Sequence, residues 1–267
     1  IATEADGGAD HVLARLEALY RRMVAAVDGG PHTIGVGAPG SASPHTGRHR
    51  NSNTLVWNGL PLAALIQARL GKSIVLENDA NCFALAEARL GAGQGAGLVF
   101  GVIMGTGCGG GLVIDGKVRS GRNGIAGEWG HMSIDPSGPD CYCGQRGCVE
   151  TMISGSGIER RFAALTGRAA SARDIIDAWR RGDTSVEPLM TAFFASFGRA
   201  LANVIDILDP DVVVLGGGLS NVPELLTRGV QEVRSRVFSD ALATPITRNR
   251  LGDSAGVIGA ALLCEAT

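Results

Sequence analysis

The sequence lacks a bias of charge: 24 lysines and arginines face 26 aspartates and glutamates over 267 residues. Its basic residues stand singly or in pairs such as Arg21-Arg22 and Arg160-Arg161, so the clustered basic face of a nucleic-acid binder is absent and no nucleic-acid partner is expected. Missing too are an uninterrupted apolar run of the ~20 residues a membrane span needs and a signal peptide, and no membrane partner is expected. Six cysteines without an extracellular address point to the reducing cytosol, and a cytoplasmic protein is expected. There is no initiator methionine, and the opening at Ile1 in polar sequence reads as a missing N-terminal piece. The length that remains suffices for one large or two medium domains, each with its own core.

The densest chemistry lies in residues 127–150, GEWGHMSIDPSGPDCYCGQRGCVE. Cys141 and Cys143 are one residue apart, too close for an unstrained bridge, and three thiols cannot all pair. Cys141, Cys143 and Cys148 with His131 instead make a closed Cys3His set suited to structural Zn2+; the alternative is a loop without metal. Glu128 and Glu150 flank it, so a metal that fixes His131 and Cys148 also fixes two carboxylates able to meet sugar hydroxyls. The competing reading leaves both solvated.

In chain order, residues 11–27 form an amphipathic helix with Val12, Leu16, Leu19, Met23 and Val27 on one face, capped by Asp10 and ended by Gly29-Gly30. A strand over 33–37 runs into Ala38-Pro39-Gly40, and 41–58 is a polar excursion. A helix opens at Pro61 and closes at Gly71. A strand over 73–76 delivers Glu77-Asn78-Asp79-Ala80-Asn81 onto a helix over 82–90, and ligands of open α/β sheets bind at such strand ends. There Asp79 is either a proton acceptor or merely a helix N-cap.

The strand over 98–104 ends in Gly105-Thr106-Gly107-Cys108-Gly109-Gly110-Gly111. Its letters fit G-x-G-x-x-G, but a hairpin with an Asp115-Gly116 turn follows rather than a helix, which rejects a dinucleotide site. No Gly-Lys-Ser/Thr follows, which rejects a Walker loop. A glycine turn between strands still suits phosphate, or is only a turn. Helices over 157–165, 172–181 and 186–208, a strand over 211–215 with the Gly216-Gly217-Gly218 turn, a helix over 223–238, a strand near Ile246 and a last helix from Ser254 complete the pattern. It implies two α/β domains facing a cleft: 1–97 with 254–267 packed back on it, and 98–253.

Together NDAN (78–81), GTGCGGG (105–111), GEWGH (127–131), CYCGQRGCVE (141–150) and the glycines at 216–218 resemble the ROK family of bacterial sugar kinases and sugar-responsive repressors. GAPGSASPHTG, NSNTLVWNG and CYCGQRGCVETMISG look closest to its fructokinase branch. The resemblance implies a two-domain actin/hexokinase-like (ribonuclease H-like) ATPase fold and a homodimer, the usual state in the family. It implies Asp79 as catalytic base, and Asn78, Glu128, His131, Glu150 and more weakly Asn53 as hexose ligands. His131, Cys141, Cys143 and Cys148 match zinc ligands; Gly105, Thr106 and Gly107 match the phosphate turn of the ATP site, and Gly216, Gly217 and Gly218 its adenosine segment. The family's D-x-G-G-T turn, which holds phosphate and Mg2+, has no counterpart here, and the chain by itself is not expected to turn over.

The expected reaction is ATP-dependent phosphorylation of D-fructose at its 6-hydroxyl, with Mg2+ on the phosphates. The alternatives are a kinase of glucose, mannose or an N-acetylhexosamine, a sugar-responsive repressor, and a sugar-binding module without catalysis.

Overall fold

The structure is a computed structural model and describes residues 3–264. Ile1, Ala2 and residues 265–267, the two ends of the first expected unit, lie outside it. The first helix, α1 (Gly8–Ala26), starts earlier than expected, with Gly7 rather than Asp10 at its N-cap. Val12 and Leu13 are buried, but Met23 is 60% and Val27 58% exposed, so only the N-terminal half of the apolar stripe meets a core.

Strand β1 (Gly35–Ala38) is followed by a small antiparallel hairpin, β2 (Ser41–Ala42) and β3 (His49–Arg50), which gives the polar excursion a fixed shape. Then come α2 (Leu62–Leu70), closed by Gly71 in the left-handed conformation, and β4 (Val75–Asn78), parallel to β1. Helix α3 (Asp79–Leu90) begins directly at the strand end.

The main sheet has five strands in the order β7-β6-β5-β8-β9. Strand β5 (Leu98–Met104) pairs antiparallel with β6 (Cys108–Ile114), and β6 with β7 (Lys117–Val118) through a turn whose Asp115 and Gly116 both have positive φ, 49° and 69°. That is the I′ geometry an Asp-Gly pair favours. Gly109–Gly111, expected in the loop, belong to β6, because α3 crosses there: a Cβ on Gly111 would lie 2.5 Å from the Ala80 carbonyl.

After the loop of residues 119–148 the chain is helical: α4 (Val149–Ile153), α5 (Gly155–Thr166), α6 (Ala172–Arg180) and α7 (Glu187–Leu208). By length and composition α7 could cross a membrane, which a search for uninterrupted apolar runs does not detect. Here it is a core helix: Leu189, Phe193, Phe197 and Leu201 are buried, each worth about 1.5–3 kcal/mol of transfer free energy. Asp209, in the left-handed region, and Pro210 end it.

Strand β8 (Val212–Gly216) lies parallel to β5, and β9 (Ile246–Arg248) parallel to β8. The helix expected over 223–238 is instead one 3-10 turn (Pro223–Leu225) and a short α8 (Arg228–Arg234). Phe238, 96% exposed, lies beyond it. Helix α9 (Ala255–Leu262) packs on α3 and β1. One face of the sheet forms a core with α4–α8, the other with Phe83, Ala84 and Ala88 of α3 and Ala255 of α9, and a third core joins α1 and α2 around Trp57. Helix α3, placed in the smaller unit on sequence, thus shares its core with the large sheet.

Candidate active site

Asn78, not Asp79, caps α3. Its Oδ1 accepts from the N–H groups of Ala80 at 2.9 Å and Asn81 at 3.2 Å, and its Nδ2 donates to the Gly40 carbonyl at 3.0 Å. This corrects the capping alternative for Asp79 and leaves Asn78 with its amide largely engaged. Asp79 occupies the first turn, its Oδ1 accepting the Ala80 N–H at 2.9 Å. Burial pushes its carboxyl pKa above the ordinary value, against the effect of these hydrogen bonds. A carboxylate of raised basicity at a strand end is suited to take a proton.

Glu128 is where the predicted ligands meet. Burial raises its pKa; the charges of Asp79 and Glu150 push the same way, while His131 and Arg50 oppose them. The four charges felt at Glu128 include that of Asp79, expected as the base, and those of Glu150 and His131, expected as sugar ligands. Arg50, on the β2–β3 hairpin, was not foreseen; its Nη2 donates to the Asn123 carbonyl at 2.5 Å and joins the hairpin to the loop before Glu128. Asn53 is exposed on the loop after that hairpin, and the hydrogen bonds that tie this loop run between Ser52 and Asn58 instead.

Glu150 stands in the first turn of α4, directly after Cys148. Its Oε2 accepts the Cys108 N–H at 2.9 Å, and a Cβ on Gly107 would come within 2.7 Å of the same oxygen. The carboxylate therefore reaches from the sugar side to the glycine turn. That turn is itself fastened: the Gly105 N–H donates to the Gly107 carbonyl at 2.9 Å, and the Gly105 carbonyl accepts from Gly155 at 2.7 Å. Two glycine motifs touch through their backbones here. A Cβ on Gly110 would lie 2.8 Å from the Gly127 carbonyl, and one on Gly130 2.0 Å from that of Cys108.

Beside the turn opens a cavity of about 770 Å³, within the range of nucleotide-sized pockets. Gly105 and Thr106 line one side and Gly218 another, as expected; Gly107, Gly216 and Gly217 do not line it. Gly216 and Gly217 serve packing and the turn, since Gly217 has φ +80° and its Cβ would lie 2.4 Å from the Met104 carbonyl. Sequence reasoning missed the wall formed by Glu159, Arg173, Asp177 and Arg180. The last three follow helical spacing along the polar face of α6, a pattern equally that of a solvated helix.

The metal-ligand set converges. One donor atom each from His131, Cys141, Cys143 and Cys148 lies within 4.8 Å of the others. Cys143 Sγ is 3.6 Å from Cys148 Sγ, and Cys141 Sγ 3.6 Å from His131 Nδ1. Tetrahedral zinc with bonds of about 2.3 Å to sulfur and 2.0 Å to nitrogen separates its ligands by roughly 3.5–3.8 Å, so the donors fit that ion. Burial and the neighbouring thiols push Cys148 up to about 12, and burial raises Cys141; the Gln145 N–H and the adjacent thiols hold Cys143 low against burial. Thiols so raised become ligands only with a cation present.

His131 turns its other nitrogen to Tyr142: Nε2 lies 3.0 Å from the phenolic oxygen, with the rings edge to face at 5.1 Å. Tyr142 was not singled out on sequence, although its place between two ligand cysteines is a signal. Burial, then the charges of Glu150, Cys141 and Glu128, push its phenol up to about 12.

Comparison with known proteins shows the family. Residues 10–267 match the family model described as ROK family. The chain is 39% identical to an N-acetyl-D-glucosamine kinase of Pasteurella multocida over 86% of this chain and 80% of that protein. Among solved structures, it superposes with a TM-score of 0.85 and 32% identity on a ROK hexokinase from Thermus thermophilus, covering 98% of this chain and 88% of that one. A ROK-family glucokinase from Streptomyces griseus, in complex with glucose and AMPPNP, gives 0.79 and 30%, covering 98% and 89%. The fructokinase branch expected from the loops finds no support among these relatives. With its mixed α/β architecture of the actin/hexokinase-like type, the chain belongs to the ROK family.

Proposed function

We infer that the protein is an ATP-dependent sugar kinase, a phosphotransferase with an alcohol acceptor, and that its preferred acceptor is N-acetyl-D-glucosamine rather than fructose. The observation that carries the reaction is the hydrogen bond from the Cys108 N–H to the Glu150 carboxylate at 2.9 Å, which joins the first turn of α4 to the glycine turn beside a cavity lined by Gly105, Thr106 and Gly218. The identity to N-acetyl-D-glucosamine kinases supports the acceptor.

In this reading Asp79 takes the proton of the attacking 6-hydroxyl as that oxygen bonds to the γ-phosphorus and the bond to the β,γ-bridging oxygen breaks. Glu128 and Glu150 orient the sugar. Closure of the part built on α1, α2 and strands β1–β4 toward the large sheet would keep water out. Mg2+ accompanies the nucleotide, and no side chain of the described residues is assigned to it. His131, Cys141, Cys143 and Cys148 would hold structural zinc, whose four protein bonds leave no open position. All six cysteines are free, in keeping with a cytosolic setting.

The test is ADP release by the full-length protein across N-acetyl-D-glucosamine, N-acetyl-D-mannosamine, glucose, mannose and fructose. N-acetyl-D-glucosamine is expected to give the highest kcat/KM; another sugar ahead by tenfold, about 1.4 kcal/mol, overturns the acceptor.

A further inference from the structure

The large cavity runs along one face of α6. Its lining residues Ala172, Ile176 and Arg180 stand four apart, so they share that face and span about 12 Å of helix. Ala172 marks the end with the glycine turn: a Cβ on Gly155 would lie 3.0 Å from the Gly105 carbonyl and 3.7 Å from the Ala172 side chain. Arg180 marks the far end. The apolar part of the lining comes from Ile176 on α6 and from Leu219 and Val222 after the Gly218 turn, all three buried.

Arg180 spends its edges on carboxylates. Its Nε donates to Glu224 Oε1 at 3.0 Å and its Nη2 to Glu224 Oε2 at 2.6 Å, a two-pronged pair that joins α6 to the 3-10 turn Pro223–Leu225. Its Nη1 stands 3.9 Å from Asp177 Oδ1, one turn back on α6. These hydrogen bonds hold the Glu224 carboxyl below its ordinary pKa, so both partners stay charged at neutral pH. Asn221 on the other side is spent as well: its Nδ2 donates to the Gly218 carbonyl at 3.1 Å and its Oδ1 accepts from Arg248. What a guanidinium held by its edges still offers a ligand is its flat face, and that face stacks on aromatic rings.

We propose that Arg180 binds the purine ring of the nucleotide face to face at the end of the cavity away from the glycine turn, and that Glu224 is the positioning residue that fixes its plane. This rests on the kinase reading above, in which the cavity takes ATP. With the phosphates at Gly105 and Thr106, the base points along α6 toward Arg180. An ion pair as exposed as this one adds little to stability, so its worth is read in ligand affinity.

The experiment measures, by calorimetry on the full-length protein, the dissociation constant of ADP in wild type, Arg180→Lys, Arg180→Phe and Glu224→Gln. Lysine keeps the charge and loses the plane; phenylalanine loses the charge and keeps a plane. The expected result is roughly tenfold weaker ADP binding in Arg180→Lys, a change within about threefold in Arg180→Phe, and an intermediate loss in Glu224→Gln, with sugar affinity and melting temperature unchanged throughout. Binding retained in Arg180→Lys and lost in Arg180→Phe overturns the proposal in favour of a charge contact. Equal losses in both variants, or none in either, overturn it as well, and unaltered binding in Glu224→Gln overturns the part given to Glu224. A wild type that binds ADP but phosphorylates no sugar overturns the kinase reading and leaves this proposal standing; a wild type that binds no ADP overturns both.

Discussion

The Glu150 carboxylate accepts the backbone N–H of Cys108 at 2.9 Å, joining the first turn of α4 to the glycine turn between β5 and β6. In the proposed reaction this one side chain would serve both halves, orienting the sugar and bracing the turn that borders the cavity lined by Gly105 and Thr106. Sugar and nucleotide affinities should then be linked through it, and such linkage is reciprocal.

Glu150→Gln is expected to raise KM for both the sugar and ATP, whereas Glu128→Gln raises KM for the sugar alone. Steady-state kinetics with each substrate varied separately decide it. An unchanged KM for ATP in Glu150→Gln would show that the Cys108 contact has no part in nucleotide binding.

Asp79→Asn is expected to lower kcat by about 10²- to 10⁴-fold, the usual worth of a general base, while leaving the sugar dissociation constant within about threefold. Calorimetry and turnover on the same preparation separate the two. Retained turnover removes Asp79 from the role of base.

The pH dependence follows from the buried carboxyls. Asp79 must be ionised to accept a proton and its pKa is raised, so kcat/KM should fall on the acid side with a midpoint above 3.8. Burial raises the Glu128 carboxyl in the same direction, so its protonation adds to the loss on the acid side. For stability the sign is opposite to that of a salt-bridged Asp. A raised pKa gives a contribution present in full below 3.8 and lost as pH rises through the folded-state value. At neutral pH the ionised Asp79 weakens the fold, and Asp79→Asn should melt higher than wild type. A lower melting temperature at pH 7 would contradict the burial argument.

Metal content tests the loop. One zinc per chain is expected, and Cys148→Ser should lower both zinc content and sugar affinity, because Cys148 directly precedes the helix that carries Glu150. Stoichiometric analysis that finds no zinc in carefully purified wild-type protein sinks the assignment.

A stability prediction concerns Glu87, fully buried in α3. Its carboxylate accepts the N–H groups of Ala92 at 2.8 Å, Arg250 at 3.1 Å and Leu251 at 2.9 Å, tying α3 to the segment that leads into α9. Glu87→Ala leaves these donors orphaned at about 1–3 kcal/mol each, so a loss of at least roughly 3 kcal/mol is expected by urea unfolding. A loss below about 1 kcal/mol would mean that water replaces the carboxylate.

Much of this was legible in the chain. The hairpin at Asp115-Gly116, the strand over 98–104, the core helix ended by Asp209-Pro210 and the four converging donors follow from turn chemistry, periodicity and ligand spacing. The misses have different causes. Asp10 is an ordinary cap residue, yet the helix extends past it to Gly8. Gly109–Gly111 look like a loop, and they are a strand because a helix crosses them closely. The cavity wall on α6 has the same amphipathic spacing as any surface helix. Sugar choice was the least legible, because the carboxylates that hold hydroxyls are common to many hexoses.

The glycine motifs at 105–111 and 127–131 meet largely main chain to main chain, with the Trp129 ring also closing on Gly110. At Gly130, where an added Cβ would lie 2.0 Å from the Cys108 carbonyl, there is no side chain that could shrink to make room. The two stretches thus form one fitted block, and room for change around the pocket lies in what borders it: the β2–β3 hairpin and the loop after it. For anyone redirecting such an enzyme to a new sugar, grafting should start at those borders, and a transplant that cuts between the two glycine stretches brings together backbones that were never fitted to each other.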